Sequence, residues 1–425
     1  MTSATDRPRG RALPRASGAL STARTVADRL TRRLDSPVTS YYVLLAATST
    51  LVVLGLVMVL SASMVTSYTD DGSSFAVFLN QARFAAIGLV GAIVAARLST
   101  TWWRRLALPA MVGSLALQAA VFTPLGFAVN GNRNWLRVGP ISVQPSEMTK
   151  LGLVLVGALV FANKGPRLRT FGQIAVPFVA PVALVTLGLV LYGKDLGTAL
   201  ILVGIVGAVL YAAGVPARFF VGAGLVAAAG VTVLVLTNAN RVDRITNWLS
   251  GSCTDPNGVC GQSVHGLYAL ADGGWWGVGL GASKEKWSWL AAAHNDFIFA
   301  IVGEELGLPG TLTLLLLFAM ISGACLRIVS RSRDSFVQIA TAGIMAWILL
   351  QAMINIGAVI GLLPVIGLPL PMVSAGGSAL VTTMIAMGIL VSFARREPGA
   401  AEILATRPGV VSRSLSILPG RRTRR

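Results

Sequence analysis

Residues 262–310 read QSVHGLYALADGGWWGVGLGASKEKWSWLAAAHNDFIFAIVGEELGLPG, and this stretch passes from small, aromatic and charged residues into an apolar helix that carries two adjacent glutamates. Asp296, Glu304 and Glu305 therefore lie at or just inside the edge of a membrane span. Burying a carboxylate at that depth costs at least about 2.5 kcal/mol, so all three are candidates for function.

The rest of the chain supports that membrane setting. It has 425 residues, 54% hydrophobic and 12% charged, a balance that suits a polytopic membrane protein and not two or three soluble domains. The net charge of +18 resides in tails and short loops between apolar runs, with no patch of interleaved aromatic and basic residues. It reads as positive-inside topology and attraction to anionic lipid, and nucleic acid is not expected as a partner.

Residues 1–40 are rich in Arg, Ser, Thr and Ala, lack an apolar core followed by a cleavage site, and read as a disordered basic tail. The first span runs from about Tyr42 to Val65, long enough at ~1.5 Å per residue to cross a ~30 Å hydrocarbon core. Nine more are expected near 78–97, 104–123, 146–163, 173–192, 196–212, 217–237, 297–327, 334–361 and 375–394. With the N-terminus cytoplasmic, most of the 35 basic residues fall inside, and an even number of spans returns the C-terminal tail to the same side. The expected fold is thus an all-α polytopic membrane protein of about ten transmembrane helices. A single domain covers 41–394, its outer loop 238–295 lies between spans 7 and 8, and a second basic cytoplasmic tail covers 395–425. An outer loop of that length is usually functional.

Within that frame, several polar groups stand out. Cys253 and Cys260 bracket the outer loop segment CTDPNGVC and form a plausible disulfide in an oxidising compartment. A zinc site needs more ligands than His265 supplies, so no metal site is expected there. Arg133 and Arg137 lie outside, against the positive-inside trend, and suit an anionic ligand such as a phosphate. Trp135 is either an interfacial anchor or a sugar or lipid contact. Pro145-Ser146-Glu147 reads as a helix start, and Glu147 can pair with Lys150 one turn on, in a structural or a functional ion pair. Asp195 follows the fifth span, and Arg241 and Arg244 are headgroup anchors or a second anion contact.

In the opening stretch, glycines 273, 274, 277, 279 and 281 interleave with Trp275 and Trp276, and Lys284 and Lys286 follow, a combination suited to a pyrophosphate and a lipid. His294 is a candidate acid or base, or a hydrogen-bonded structural group. Asp296 opens the eighth span, where the helix dipole would keep it ionised, ready to act as a base or simply to cap the helix. Glu304 and Glu305 lie ~12 Å deeper along the axis, too far to share a reacting atom, and read as braces of a polar cavity. The last loop, with Pro364, Pro369, Pro371, Ser374 and Ser378, reads as irregular backbone tolerated only beside protein or water. Asn355, in the ninth span, is expected to hydrogen-bond between helices.

Four segments, RNWLRVGPISVQPSE with Lys150, KDLGTAL, AHNDFIFAIVGEELG and LPLPMVSAGGSAL, carry a resemblance to the SEDS family (shape, elongation, division and sporulation) of bacterial peptidoglycan polymerases, which includes FtsW and RodA. GLVMVLSAS in the first span, the two-cysteine loop and the Arg-rich tails look more like an actinobacterial FtsW. The chain departs from the family in two places. It has Leu290-Ala291-Ala292-Ala293-His294 where the family often has L-P-E-A-H, and Ser374-Ala375-Gly376-Gly377-Ser378 for S-Y-G-G-S; the aspartate is retained.

The resemblance implies an inverting glycosyltransferase that polymerises lipid II into a glycan strand outside the cytoplasmic (inner) membrane, at the division septum. It also implies a class B penicillin-binding protein of FtsI type and other divisome membrane proteins as partners. Asp296 would be the base, and Glu147, Lys150, Asp195 and Trp135 would be cavity residues. The departing pyrophosphate would be offset by Arg133, Lys284, Lys286 or a divalent cation such as Mg or Mn; no other cofactor is expected. A lipid II flippase and a RodA-type elongation polymerase are the alternatives.

Overall fold

The computed structural model describes residues 36–129, 131–139, 141–164, 170–236, 239–250, 259–287 and 289–406. Residues 1–35 and 407–425 of the basic tails, Cys253 and the side chain of Cys260, and with them the expected disulfide, lie outside the described residues. The helices are α1 (Thr39–Asp71), α2 (Ala76–Arg97), α3 (Thr100–Ala120), α4 (Pro145–Ala162), α5 (Phe171–Ile174), α6 (Val185–Tyr192), α7 (Leu196–Ala212), α8 (Ala217–Leu236), α9 (Ala239–Ser250), α10 (Val259–Gly273), α11 (Ile298–Arg331), α12 (Ser335–Val359), α13 (Gly377–Ala394) and α14 (Ala400–Thr406). A π-helical run, Ala175–Leu184, joins α5 to α6; Pro181 within it cannot donate a backbone hydrogen bond.

Among the described residues, seven helices (α1, α2, α4, α8, α11, α12 and α13) are long and apolar enough to cross a membrane. The other three expected spans are also helical: α3, the path from α5 to α6, and α7. Helix α1 outruns its expected span because it continues through polar Ser67–Asp71 until Gly72 turns left-handed at φ 69°. Helix α13 packs on α2, α11 on α1, and α12 on both α4 and α7. Helix α8 has no fully buried residue; Phe219 and Phe220 pack partly against the core, and most of its apolar surface is exposed.

One expectation changes. The chain is not all-α: the segment after α3 forms a three-stranded antiparallel sheet, β1 (Gly126–Val129), β2 (Asn132–Val138) and β3 (Ile141–Val143), in the order β1-β2-β3. In the sequence, Asn130-Gly131 falls between β1 and β2, a dipeptide favoured in hairpin turns. The long segment 238–295 contains α9 and α10.

Polar contacts gather at the two ends of the bundle. At one end Arg327 donates to the Ser36 carbonyl (2.6 Å), Arg104 pairs with Asp334 (2.6 Å), and Arg396 donates to the Leu98 carbonyl (3.0 Å). At the other Arg133 reaches Val121, Gln144 reaches Ser378, and Gln81 reaches Ser374.

Helix α11 is broken at Gly307 (φ 66°, ψ −159°), just before Pro309. The break frees the carbonyls of Glu304 and Glu305, which need partners at a helix end. The glycine-dense segment supplies them: Val278 N–H donates to the Glu304 carbonyl (2.9 Å) and Gly279 N–H to the Glu305 carbonyl (3.1 Å). In return Leu308 N–H donates to the Gly274 carbonyl (3.2 Å). A side chain at Gly277, itself at φ +78°, would overlap the Glu305 carbonyl. Gly277→Ala should therefore destabilise the protein by more than about 2 kcal/mol, seen as a lower unfolding midpoint in detergent. Gly222→Ala, which meets open space on α8, should leave stability within about 0.5 kcal/mol.

Candidate active site

Asp296 sits in the turn before α11. The N-cap of that helix is Phe297, and no side chain caps it. Asp296 is therefore not a cap, and its ionisation does not rest on a capping bond as the sequence suggested. Among the described residues its carboxylate has no hydrogen-bond partner, although its backbone carbonyl accepts from Asn355 Nδ2 at 2.7 Å. The same amide donates to the Leu368 carbonyl at 2.7 Å. One residue of α12 thus ties the aspartate to the last outer loop.

The carboxylate lines a small cleft with Asn355, Val359, Val365, Gly367 and Leu368. Gly367 adopts φ +72°, and a Cβ there would lie 3.4 Å from Asp296 Oδ2. Burial pushes the Asp296 carboxyl up to about 6, partly offset by the nearby Arg244 guanidinium. Arg244 is held by the Val365 carbonyl (2.9 Å) and Trp248 by the Gly361 carbonyl (2.9 Å), which seats α9 over the same loop. Burial lowers the His294 imidazole, favouring its neutral form, and its Nδ1 has no partner among the described residues. The His294 carbonyl accepts from Ala375 N–H at 2.9 Å, a second tie to the last loop.

Deeper in the helices, Glu147 and Lys150 form the expected ion pair (2.8 Å), both fully buried. Lys150 Nζ also donates to Gln351 Oε1 (2.9 Å), and Gln351 Nε2 donates to the Pro369 carbonyl (2.9 Å). Gln351 and Asn355 are one turn apart on α12, so both clamp residues 368–369 from the same face. Asp195 caps α7 through Thr198 N–H (3.0 Å) and accepts from Asn134 (2.8 Å), Gln144 (3.1 Å) and the Thr198 hydroxyl (2.9 Å), tying the sheet to α7. Ser374 Oγ accepts from Leu370 N–H (2.7 Å) and Ser378 Oγ from Gln144 N–H (3.2 Å), so both serines hold backbone. Three non-glycine residues have positive φ, namely Lys194, Ala292 and Met372, and each lies in a loop bordering this region.

The glycine–tryptophan–lysine segment, expected as a pyrophosphate cradle, also supplies backbone to the α11 break. Buried Lys286 pairs with Glu305 (3.2 Å), which also accepts from Ser61 of α1 (2.7 Å). Glu304 accepts from Ser283, and from Lys284 N–H at 2.6 Å. The Lys284 ammonium is exposed beside Asp272 (3.3 Å). Trp275, Trp276, Trp287 and Trp289 are all exposed and present a broad aromatic surface. Arg133 uses Nε and one terminal nitrogen on the Val121 (3.0 Å) and Thr123 (2.9 Å) carbonyls, pinning β2 to the end of α3, and Trp135 stacks on Phe127. Sequence reasoning missed Gln351, Ser61, Ser283, Asn134 and Gln144. Each is a polar residue in or beside an apolar run, and each supports a charged group.

No group of three His, Cys, Asp or Glu side chains converges among the described residues.

Residues 41–398 match the family model described as cell cycle protein, the model of FtsW, RodA and SpoVE. The chain is 40% identical over 386 residues to the probable peptidoglycan glycosyltransferase FtsW of Mycobacterium tuberculosis, covering 90% of this chain and 73% of that one. It is similar, at TM-score 0.67 and 25% identity, to a chain solved in work on the structural coordination of polymerization and crosslinking by a peptidoglycan synthase complex. That match covers 83% of this chain and 96% of the other. The rod shape determining protein RodA of Thermus thermophilus matches at TM-score 0.60 and 25% identity, over 83% and 96% of the two chains.

The buried ion pair generates a prediction. Lys150→Met leaves Glu147 buried without its counter-charge and should cost about 3–5 kcal/mol. Adding Glu147→Gln should restore most of that loss. Chemical unfolding of the two variants in detergent checks it.

Proposed function

The chain belongs to the FtsW/RodA/SpoVE family of cell cycle proteins, and on that premise we propose that it is a peptidoglycan glycosyltransferase that polymerises lipid II at the outer face of the cytoplasmic membrane. The observation that carries the reading is the Asp296 carboxylate. It lies in a cleft beside Arg244 with no hydrogen-bond partner among the described residues, whereas the buried Glu147, Asp195, Glu304 and Glu305 are each engaged by neighbours.

In this reading Asp296 takes the proton from the 4-hydroxyl of the acceptor GlcNAc. The oxygen forms a bond to the anomeric carbon of MurNAc in the second lipid II, with inversion. The bond from that carbon to the phosphate oxygen breaks, and undecaprenyl pyrophosphate leaves with the electron pair. With a carboxyl at about 6, about ten bases are ionised for each protonated one at pH 7. The exposed Lys284 and the free donors of Arg133 are cations available to an anion on this side.

Ten spans with both termini cytoplasmic accord with the sorting of polar contacts between the two ends of the bundle. A role in division, at the septum, accords with the FtsW relative. A class B penicillin-binding protein as partner accords with the likeness to a synthase complex that coordinates polymerization and crosslinking.

Purified protein with fluorescent lipid II should yield long glycan strands on a gel, and Asp296→Asn should slow their formation by about 10²–10⁴-fold. A mutant that polymerises at the wild-type rate would remove the assignment. Because the ionised form is the active base, the rate should fall tenfold per unit as pH drops below about 6. Arg244→Gln removes a charge that holds the Asp296 carboxyl down, so its acid limb should move to higher pH.

A further inference from the structure

Asn355 is buried, with 3% of its surface exposed, and its amide nitrogen faces two carbonyls, those of Asp296 and Leu368, each at 2.7 Å. Both neighbours are acceptors, so the nitrogen must face them and the side-chain oxygen must point away. That oxygen is buried and has no donor among the described residues. An unmet acceptor in such a place costs about 1–3 kcal/mol unless something occupies it. Asn355 lines the same cleft as Asp296, and the other residues there (Phe297, Ile354, Ala358, Val359, Val365, Ile366, Gly367 and Leu368) offer no polar side chain.

The two polar side chains that line the cleft are thus the Asp296 carboxylate and Asn355, whose oxygen lacks a donor among the described residues, in an otherwise apolar wall. Such a site selects a ligand with two neighbouring donors, and a pair of adjacent sugar hydroxyls has that chemistry. We propose that Asn355 Oδ1 accepts a hydrogen bond from the acceptor sugar's hydroxyl adjacent to the attacking one, the 3-hydroxyl of GlcNAc, and so is a specificity-determining residue. The assignment rests on the glycosyltransferase reading of Asp296. It gives Asn355 two linked tasks: its nitrogen sets the position of the Asp296 backbone, and its oxygen reads the substrate presented to that carboxylate. A sugar lacking the 3-hydroxyl would strand the Oδ1 acceptor when it fills the cleft, and sites built to bond a hydroxyl discriminate strongly against analogues without it.

The test is a cycle between protein and substrate. Polymerisation by the purified full-length protein is measured with natural lipid II and with lipid II whose GlcNAc lacks the 3-hydroxyl, for wild type, Asn355→Ala and Asn355→Asp. Wild type should prefer the natural acceptor by at least about 10-fold in kcat/KM. In Asn355→Ala that preference should shrink to about 2-fold or less, whatever the loss of absolute rate. Asn355→Asp keeps an acceptor oxygen and should retain more of the preference than Asn355→Ala. If Asn355→Ala loses rate but keeps the full wild-type preference, Asn355 acts only through the backbone and the proposal fails. It also fails if wild type shows no preference. If neither substrate is polymerised by wild type, the failure lies with the glycosyltransferase reading itself. Should Asn355→Ala not fold, Asn355→Leu, near asparagine in volume and without an acceptor, carries the same comparison.

Discussion

One face of α12 holds the site together. Gln351 and Asn355, one turn apart, donate to the carbonyls of Pro369, Leu368 and Asp296. Those carbonyls belong to irregular backbone at the membrane edge, where water is scarce and each unsatisfied group costs several kcal/mol. The prolines of the last loop prevent it from folding into a helix that would satisfy itself. The loop therefore depends on side chains from a neighbouring span, and the dependence fixes the loop relative to Asp296. Gln351 in turn accepts from Lys150, whose charge is matched by Glu147. The buried ion pair and the candidate base are thus connected through one loop.

The second support is the break in α11. A continuous helix would satisfy its own backbone, whereas the break at Gly307 leaves carbonyls that only a close-packed backbone can reach. Glycines at 274, 277 and 279 allow that approach, and the side chains of Glu304 and Glu305 fasten the same segment through Ser283, Lys284 and Lys286. The acids that looked costliest in the sequence thus stabilise a scaffold. Asp296, about two turns away in sequence, retains an uncommitted carboxylate because nothing in that scaffold reaches it.

Much of this was legible in the sequence. Apolar runs of span length gave the helical elements, and the three-residue spacing of Glu147 and Lys150 gave their pair. Asp296 stood out by its place at the mouth of a span and by the family motif around it. The three-stranded sheet was less visible, because its strands are short and its one clear signal is Asn130-Gly131. The contact of the glycine–tryptophan–lysine segment with the α11 break was not legible, for a physical reason. Glycines permit close approach of any partner, and composition does not say whether that partner is a phosphate or the carbonyl of Glu305. Asn355 could be placed between helices from its residue type, but its orientation depends on which groups fold against it, and Asp296 and Leu368 are distant in sequence.

The central claim is that Asp296 is an uncommitted carboxylate whose surroundings hold its titration near neutrality. Infrared difference spectra of wild type against Asp296→Asn, recorded across pH in detergent, observe that proton directly. A protonated-carboxyl band unique to wild type should grow in as pH falls through about 6. A band that appears only near the ordinary aspartate range, about 4, would show a solvated or hydrogen-bonded carboxylate and contradict the account.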